Sequence, residues 1–280
     1  MFIIEILKAL VQGIVQGITE WLPISSTGHI LLLDAVWKMD VSQEFFDVFK
    51  VIIQLGSILA VVVLYFHKLN PFSPKKSQAA RKDTWKLWLK VLIASVPAAV
   101  AGLALDDLID QKLSVPVVIA VALIVYGIAF IWMESRKKQP TVNQLSDISY
   151  ARALGIGAFQ MLALIPGTSR SGSTILGATL LGTSRPVAAE FSFFMAIPVM
   201  LGASGLKVVK YFLLDGYRFT AQEWILLLLA TVVAFVVSLL VIRFLMAYIQ
   251  KHSFQVFGWY RIALGVVVLL VWWLVPGLLK

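Results

Sequence analysis

The sequence predicts an all-α polytopic membrane protein with six transmembrane helices and two re-entrant helical hairpins in an inverted-topology repeat. Three observations lead there. Of the 280 residues, 60% are hydrophobic and only 14% charged, and the mean hydropathy is +0.89, whereas soluble domains run at roughly a quarter charged residues. Six apolar runs approach the ~20 residues needed to cross a bilayer. Two further apolar stretches, 2–38 and 151–183, are cut by polar, Pro-containing segments. Broken backbone at membrane depth is tolerated only where protein or a wet cavity surrounds it.

The order of elements follows from these runs. Residues 2–15 are apolar, the run stops near Pro23, and Ile30–Trp37 is short. Neither piece alone reaches the ~20 residues of a span, so together they read as a hairpin that enters and leaves on one side. Phe45–Phe66 is a full span. The Lys/Arg-rich loop His67–Lys90 follows and belongs in the cytoplasm by the positive-inside rule. Trp85–Leu105 is the second span, and the acidic turn Asp106-Asp107-Leu-Ile-Asp110 places its far end outside. Val115–Met133 returns to a second basic loop, Arg136-Lys137-Lys138. Ala153–Leu181 repeats the hairpin pattern, with its break at Pro166-Gly167. Pro186–Phe212 runs outward with Pro198 as an expected kink, Trp224–Tyr248 runs inward, and Val256–Leu274 runs outward. Both termini then lie outside. The net charge of +9 is accounted for by the cytoplasmic loops, which argues against nucleic acid as a partner. No cleavable signal pattern is expected, because no basic n-region precedes the first apolar run and Pro23 is followed by polar residues. Cys is absent, which excludes disulfides, thiolate nucleophiles and Cys-bound metals.

One membrane domain, 1–280, therefore divides into a first repeat over 1–134, a cytoplasmic linker over 135–150 and a second repeat over 151–280. Each half is a hairpin followed by three spans. Three is odd, so the second half enters from the opposite side, as in an inverted repeat. Gln16 and Gln160 precede Pro23 and Pro166 at similar distances, aligning Ser25-Ser26 with Thr168-Ser169. Gly56 and Gly202 also occupy comparable places in the spans that follow.

The polar residues of the hairpins carry the chemistry. Gln16 and Glu20, spaced i,i+4, share a helix face. Glu20 suits a hard divalent cation through oxygen, with Gln16 adding an amide carbonyl. An interhelical hydrogen bond, or neutralisation of Glu20 by Arg170, is the structural alternative. Ser26 and His29 are spaced i,i+3 on the helix that restarts after Pro23, the geometry of a base-activated hydroxyl; capping by Ser25 and Ser26 is the alternative. In the second hairpin, Gly167-Thr168-Ser169-Arg170-Ser171-Gly has the composition of an anion cradle at a helix start. Arg170 adds a fork suited to phosphate oxygens. Ser25, Thr27 and Thr174 complete the expected phosphate contacts. Gln54 is read as an interhelical hydrogen bond and Glu190 as a minor candidate. Trp21, Trp37, Trp272 and Trp273 are read as interfacial belts.

The motifs Gln16-Gly-x-x-Glu20-x-x-Pro-x-Ser-Ser-Thr-Gly-His29 and Pro166-Gly-x-Ser-Arg170-Ser-Gly-x-Thr174 resemble the two signatures of the bacterial undecaprenyl-diphosphate phosphatase family, also called bacitracin-resistance proteins. Phe49-x-Val-x-Ile-Gln54-Leu-Gly-Ser-Ile-Leu-Ala-Val fits as well, so the resemblance covers the whole chain. It implies hydrolysis of undecaprenyl diphosphate to the monophosphate and inorganic phosphate, which recycles the carrier for peptidoglycan and envelope glycan synthesis. It further implies a divalent cation (Mg2+ or Ca2+), a site open to the outer face of the cytoplasmic membrane, and Glu20, Ser26, His29 and Arg170 as the functional set. The family's first motif position is Glu or Gln, and here it is Gln16. The expected mechanism is in-line attack by Ser26 deprotonated by His29, with water or His29 itself as the alternative nucleophile. The expected partners are the polyprenyl diphosphate and membrane lipids, with a homodimer left open. The competing function is a secondary transporter or flippase of a lipid phosphate carrier, since inverted repeats with broken helices also serve carriers.

Overall fold

A computed structural model describes residues 2–108, 112–113 and 115–275. Among them the regular structure is helical, with loops between the helices and one isolated parallel bridge between Val142 and Thr183. Helices α1 (Phe2–Thr19), α2 (Ser26–Val36), α3 (Gln43–Leu64), the single turn α4 (Phe66–Leu69), α5 (Gln78–Leu108) and α6 (Pro116–Ser135) form the first half. Helices α7 (Tyr150–Met161), α8 (Arg170–Leu180), α9 (Arg185–Val209), α10 (Ala221–Ile249) and α11 (Gln255–Leu274) form the second. The backbone of α5 takes in the first three residues of the expected acidic turn, and Ile109 and Asp110 lie outside the described residues.

Among the described residues, seven helices are long and apolar enough to cross a membrane, by length and composition. Six are the expected spans. The seventh is α1, which stays helical through Gln16 to Thr19 and so reaches span length where the sequence suggested a shorter run. Its polar residues do not break it because Gln12 and Gln16 are buried against protein and not turned to lipid. Both α5 and α9 continue through an internal proline, Pro97 and Pro198 respectively.

Packing is pairwise. α1 lies along α10 and α7 along α5, α6 pairs with α11, and α3 contacts both α9 and α10. Small residues permit the close approaches, as expected where lipid gives no hydrophobic drive between helices. A Cβ added to Gly13 would overlap the carbonyl oxygen of Ala230, and one added to Gly157 would overlap that of Ala94. Gly127 and Gly258 meet the same limit on each other. Gly157→Val is therefore expected to destabilise the bundle by about 1–3 kcal/mol through overpacking, lowering Tm in detergent. Gly205→Ala, inside α9 at a position facing open space, is the control and should not lower Tm, since Ala favours the helix.

The centre is α9, whose residues Val187–Ile197 are buried without interruption. Phe191, Phe193 and Phe194 of this helix join Trp21 and Ile175 in the main core. The outer faces of the spans expose Leu103, Val125, Leu240 and Trp273, the surface a bilayer would cover.

Both short helices start alike. Ser25 precedes α2 at φ 72° and Ser169 precedes α8 at φ 71°. A non-glycine residue in this region costs about 1–3 kcal/mol and persists only where its surroundings enforce it. At Gly167 (φ 91°) a side chain would collide with the backbone of Ile119, so glycine is required there for space as well as conformation.

Candidate active site

The two breaks face each other across a cavity of about 190 Å³ lined by Glu20, Ser26, Thr27, Gly167, Ser169 and Arg170, with Gln54 and Met200 closing it. Thus residues about 150 positions apart in sequence share one chamber. The first break supplies a carboxylate and hydroxyls. The second supplies a guanidinium at the start of α8, where the helix dipole favours an anion. Ser169 caps that helix by accepting from the Gly172 N–H at 3.2 Å.

A chain of polar contacts crosses the chamber. Arg170 Nη2 donates to Glu20 Oε1 at 2.9 Å, and Gln16 Nε2 donates to Glu20 Oε2 at 2.9 Å. Arg170 Nη1 donates to the Ser192 carbonyl oxygen at 2.9 Å, and its guanidinium lies 5.5 Å from the centre of the Trp21 ring. Arg170 is therefore held from three sides by Glu20, α9 and Trp21 while it lines the cavity. Trp21 is fully buried and packs edge-on against Phe193 at 5.2 Å. This corrects its assignment to an interfacial belt: the ring is the floor beneath Arg170. Trp37, Trp272 and Trp273 are exposed.

The expected set divides. Glu20, Ser26, Thr27, Gly167, Ser169 and Arg170 line the cavity. Gln16 stands behind Glu20, with its Oε1 buried and without a partner. The Ser25 hydroxyl is likewise buried and unpartnered. Ser171 and Thr174 turn to structural work. Ser171 Oγ contacts the Glu20 and Leu22 carbonyl oxygens at 3.1 and 3.2 Å, tying the breaks together, and Thr174 Oγ1 meets Ser192 Oγ at 2.6 Å. Thr168 is buried and offers its carbonyl to Arg261. Glu190 does not approach the cavity; it pairs with Lys68 at 2.6 Å.

His29 is not hydrogen-bonded to Ser26. Its Nδ1–H donates to the Ser25 carbonyl oxygen at 2.7 Å, which leaves the Nε2 lone pair to accept from the Tyr260 hydroxyl at 2.7 Å. The imidazole stacks on the Tyr260 ring with centroids 5.6 Å apart. The i,i+3 spacing does place Ser26 and His29 on one helix, but a side chain from α11 captures the ring, and no spacing rule within α2 could reveal that.

Two further residues escaped the sequence reading. Gln54 lines the cavity although its mid-span position suggested only interhelical bonding. Arg261, fully buried in α11, donates to the Pro23 carbonyl oxygen at 3.1 Å and to those of Gly167 and Thr168 at 3.0 and 2.7 Å. One guanidinium thus clamps both breaks. Its signal was available: an arginine inside an apolar span is expensive and functional by default.

For a cation, the cavity wall offers one carboxylate among the described residues, Glu20, with Gln16 buried behind it and its Oε1 unpartnered. No group of three His, Asp or Glu suited to a metal occurs among the described residues.

Comparison with known proteins points one way. A family model described as "Bacitracin resistance protein BacA" matches residues 9–267. "Undecaprenyl-diphosphatase" of Enterococcus faecalis (strain ATCC 700802 / V583) is 56% identical over 274 residues, covering 97% of this chain and 99% of the relative. "Undecaprenyl-diphosphatase 1" of Clostridioides difficile (strain 630) is 58% identical over 267 residues, covering 95% and 96%. "Undecaprenyl-diphosphatase" of Streptococcus thermophilus (strain ATCC BAA-250 / LMG 18311) is 57% identical over 270 residues, covering 96% and 93%.

Proposed function

The chain belongs to the family of bacitracin resistance protein BacA, and on that premise we propose that its chemistry runs in the cavity between the two helix breaks. The activity is that of an undecaprenyl-diphosphatase, a bacterial membrane hydrolase that converts undecaprenyl diphosphate to undecaprenyl phosphate and inorganic phosphate. It returns the lipid carrier to cell-wall synthesis and gives bacitracin resistance.

The observation that carries the site assignment is the Gln16–Glu20–Arg170 chain across a cavity walled by both breaks. In our proposal the terminal phosphate lies against Arg170 and the start of α8, where a planar fork and an N-terminal dipole both favour oxyanions. Ser26 Oγ attacks phosphorus in line. The Ser26 O–P bond forms, the P–O bond to the lipid monophosphate breaks, and the Ser26 proton passes to His29 Nε2. Water then hydrolyses the phosphoserine, giving inorganic phosphate and restoring Ser26. His29 suits the base because its Nδ1–H is committed to Ser25, leaving the lone pair on Nε2. The ring must first leave Tyr260, which holds that lone pair in the resting state. Glu20 and Gln16 fit a divalent cation of the kind that keeps most of its shell as water and substrate phosphate. When bound, it offsets charge on the diphosphate.

The repeat has support from the same 144-residue spacing between Ala9 and Ala153, Gly13 and Gly157, Gln16 and Gln160, and Ser25 and Ser169. Gly13 and Gly157 make equivalent close contacts, and Ser25 and Ser169 share one backbone conformation. The equivalence is one residue off the sequence alignment, which put Ser169 opposite Ser26. On this reading the first repeat spans 1–134 and the second 151–280, related by inversion, with the hairpins re-entrant and the cavity open to the outer face.

The test is phosphate release from a polyprenyl diphosphate by purified protein in detergent, with Mg2+, with Ca2+ and with chelator. Cation-dependent release is expected, and Ser26→Ala should lose about 10⁶-fold in kcat, as for a removed hydroxyl nucleophile. Turnover by Ser26→Ala within tenfold of the parent would assign the attack to water or to His29.

A further inference from the structure

A second cavity lies away from the catalytic one and is larger than it. A chamber of about 470 Å³ lies beyond the far end of α8, between the end of α6, the loop that follows it and the start of α9. Since α8 has 11 residues rising ~1.5 Å each, about 16 Å of helix separates this chamber from Arg170. Its walls include Arg136, Lys137, Lys138 and Arg185, with Glu134 as the acidic member.

Glu134 is already satisfied. It takes Arg185 Nε at 2.8 Å and Arg185 Nη2 on its second oxygen, and it also accepts from the Phe254 N–H at 2.9 Å. Arg136, Lys137 and Lys138 have no acidic partner among the described residues. The start of α9 borders the chamber, and its N-cap Ser184 makes no side-chain bond to the first turn. At a helix of this length the dipole favours an anion there. Independently, Thr183 lines the same chamber at 2% exposure and its hydroxyl has no hydrogen-bond partner among the described residues. A buried unpaired hydroxyl costs about 1–3 kcal/mol, so an oxygen-rich ligand would recover what the protein alone leaves unmet. A basic loop on its own would be only a solvated positive-inside segment. The buried unsatisfied donor beside an uncapped helix start distinguishes this one.

We propose that this chamber is a second anion site, separate from the catalytic cavity, which binds a phosphate group carried by an anionic lipid headgroup or free in solution. Lys137 and Lys138 supply charge, and Thr183 with the start of α9 supplies hydrogen-bond donors. The volume falls in the range of small-ligand sites, enough for a phosphate with a glycerol attached.

The experiment measures the Tm of the full-length protein in neutral detergent during titration with phosphatidylglycerol, phosphatidylcholine or inorganic phosphate. A ligand of the folded state raises Tm with saturation. Wild type is compared with Lys137→Gln/Lys138→Gln, Thr183→Val and Thr183→Ser. Phosphate bound in the catalytic cavity contributes equally to all four and cancels. A saturable rise with phosphatidylglycerol, at least tenfold weaker in the double variant and in Thr183→Val but kept in Thr183→Ser, establishes a lipid headgroup. The same pattern with inorganic phosphate establishes the free anion. Absence of any saturable rise, an equal rise with phosphatidylcholine, or a rise undiminished in the variants would overturn the proposal. Phosphatase activity of each variant, expected near wild type, reports that the catalytic half is folded.

Discussion

Arg170→Ala lowers kcat by about 10³-fold, the expected loss when a preorganised donor to developing phosphate charge is removed. The same change leaves Glu20, only 5% exposed at its side chain, as a buried charge without its cation, at a cost of about 3–5 kcal/mol. Two effects are thereby mixed, and a second variant separates them. Arg170→Ala combined with Glu20→Gln removes the orphaned charge, so Tm should recover toward the parent while turnover does not. Arg170→Lys keeps the charge but not the planar fork that bonds Glu20 and the Ser192 carbonyl from separate nitrogens. It should retain only a small fraction of activity. Full activity in either single variant would remove Arg170 from the phosphate site.

The second large effect is expected at Arg261, a residue outside the cavity wall. Arg261→Leu strips the donors from the carbonyls of Pro23, Gly167 and Thr168. Each buried acceptor left unmet costs about 1–3 kcal/mol, partly offset because a costly buried charge is also removed. A net loss on the order of 3 kcal/mol in stability follows. The catalytic consequence comes from geometry. Arg261 sets the separation of the two breaks, and a misplacement of about 1 Å costs roughly 10²-fold in rate. The measurement is phosphate release by Arg261→Leu at a temperature well below its Tm. A kcat equal to wild type would show that Ser171, which also bridges the breaks, suffices to align them.

Much of this was legible before any coordinates. Charge depletion and six long apolar runs dictated a helical membrane protein because lipid leaves the backbone no other partner than itself. Polar residues at membrane depth are costly enough that Glu20, Ser26, Thr27, Ser169 and Arg170 stood out on residue type alone, and all five line one cavity. Less legible was the role of each hydroxyl. Ser171 and Thr174 have the composition of phosphate ligands and instead bond to Glu20, Leu22 and Ser192. A helix face is readable from spacing, whereas the identity of the neighbour facing it is not.

What the sequence by itself determined is therefore the helical class and the two polar breaks, since both follow from local free energies of burying polar groups in hydrocarbon. Tertiary structure alone decided that His29 pairs with Tyr260 and not with Ser26, that Trp21 lies under Arg170, and that Arg261 joins the breaks. Each brings α11 or α8 against the first hairpin, across more than 100 residues of chain. Such contacts depend on how whole helices cross, which is set by where Gly13, Gly127, Gly157 and Gly258 let backbones meet, and no single helix carries that information.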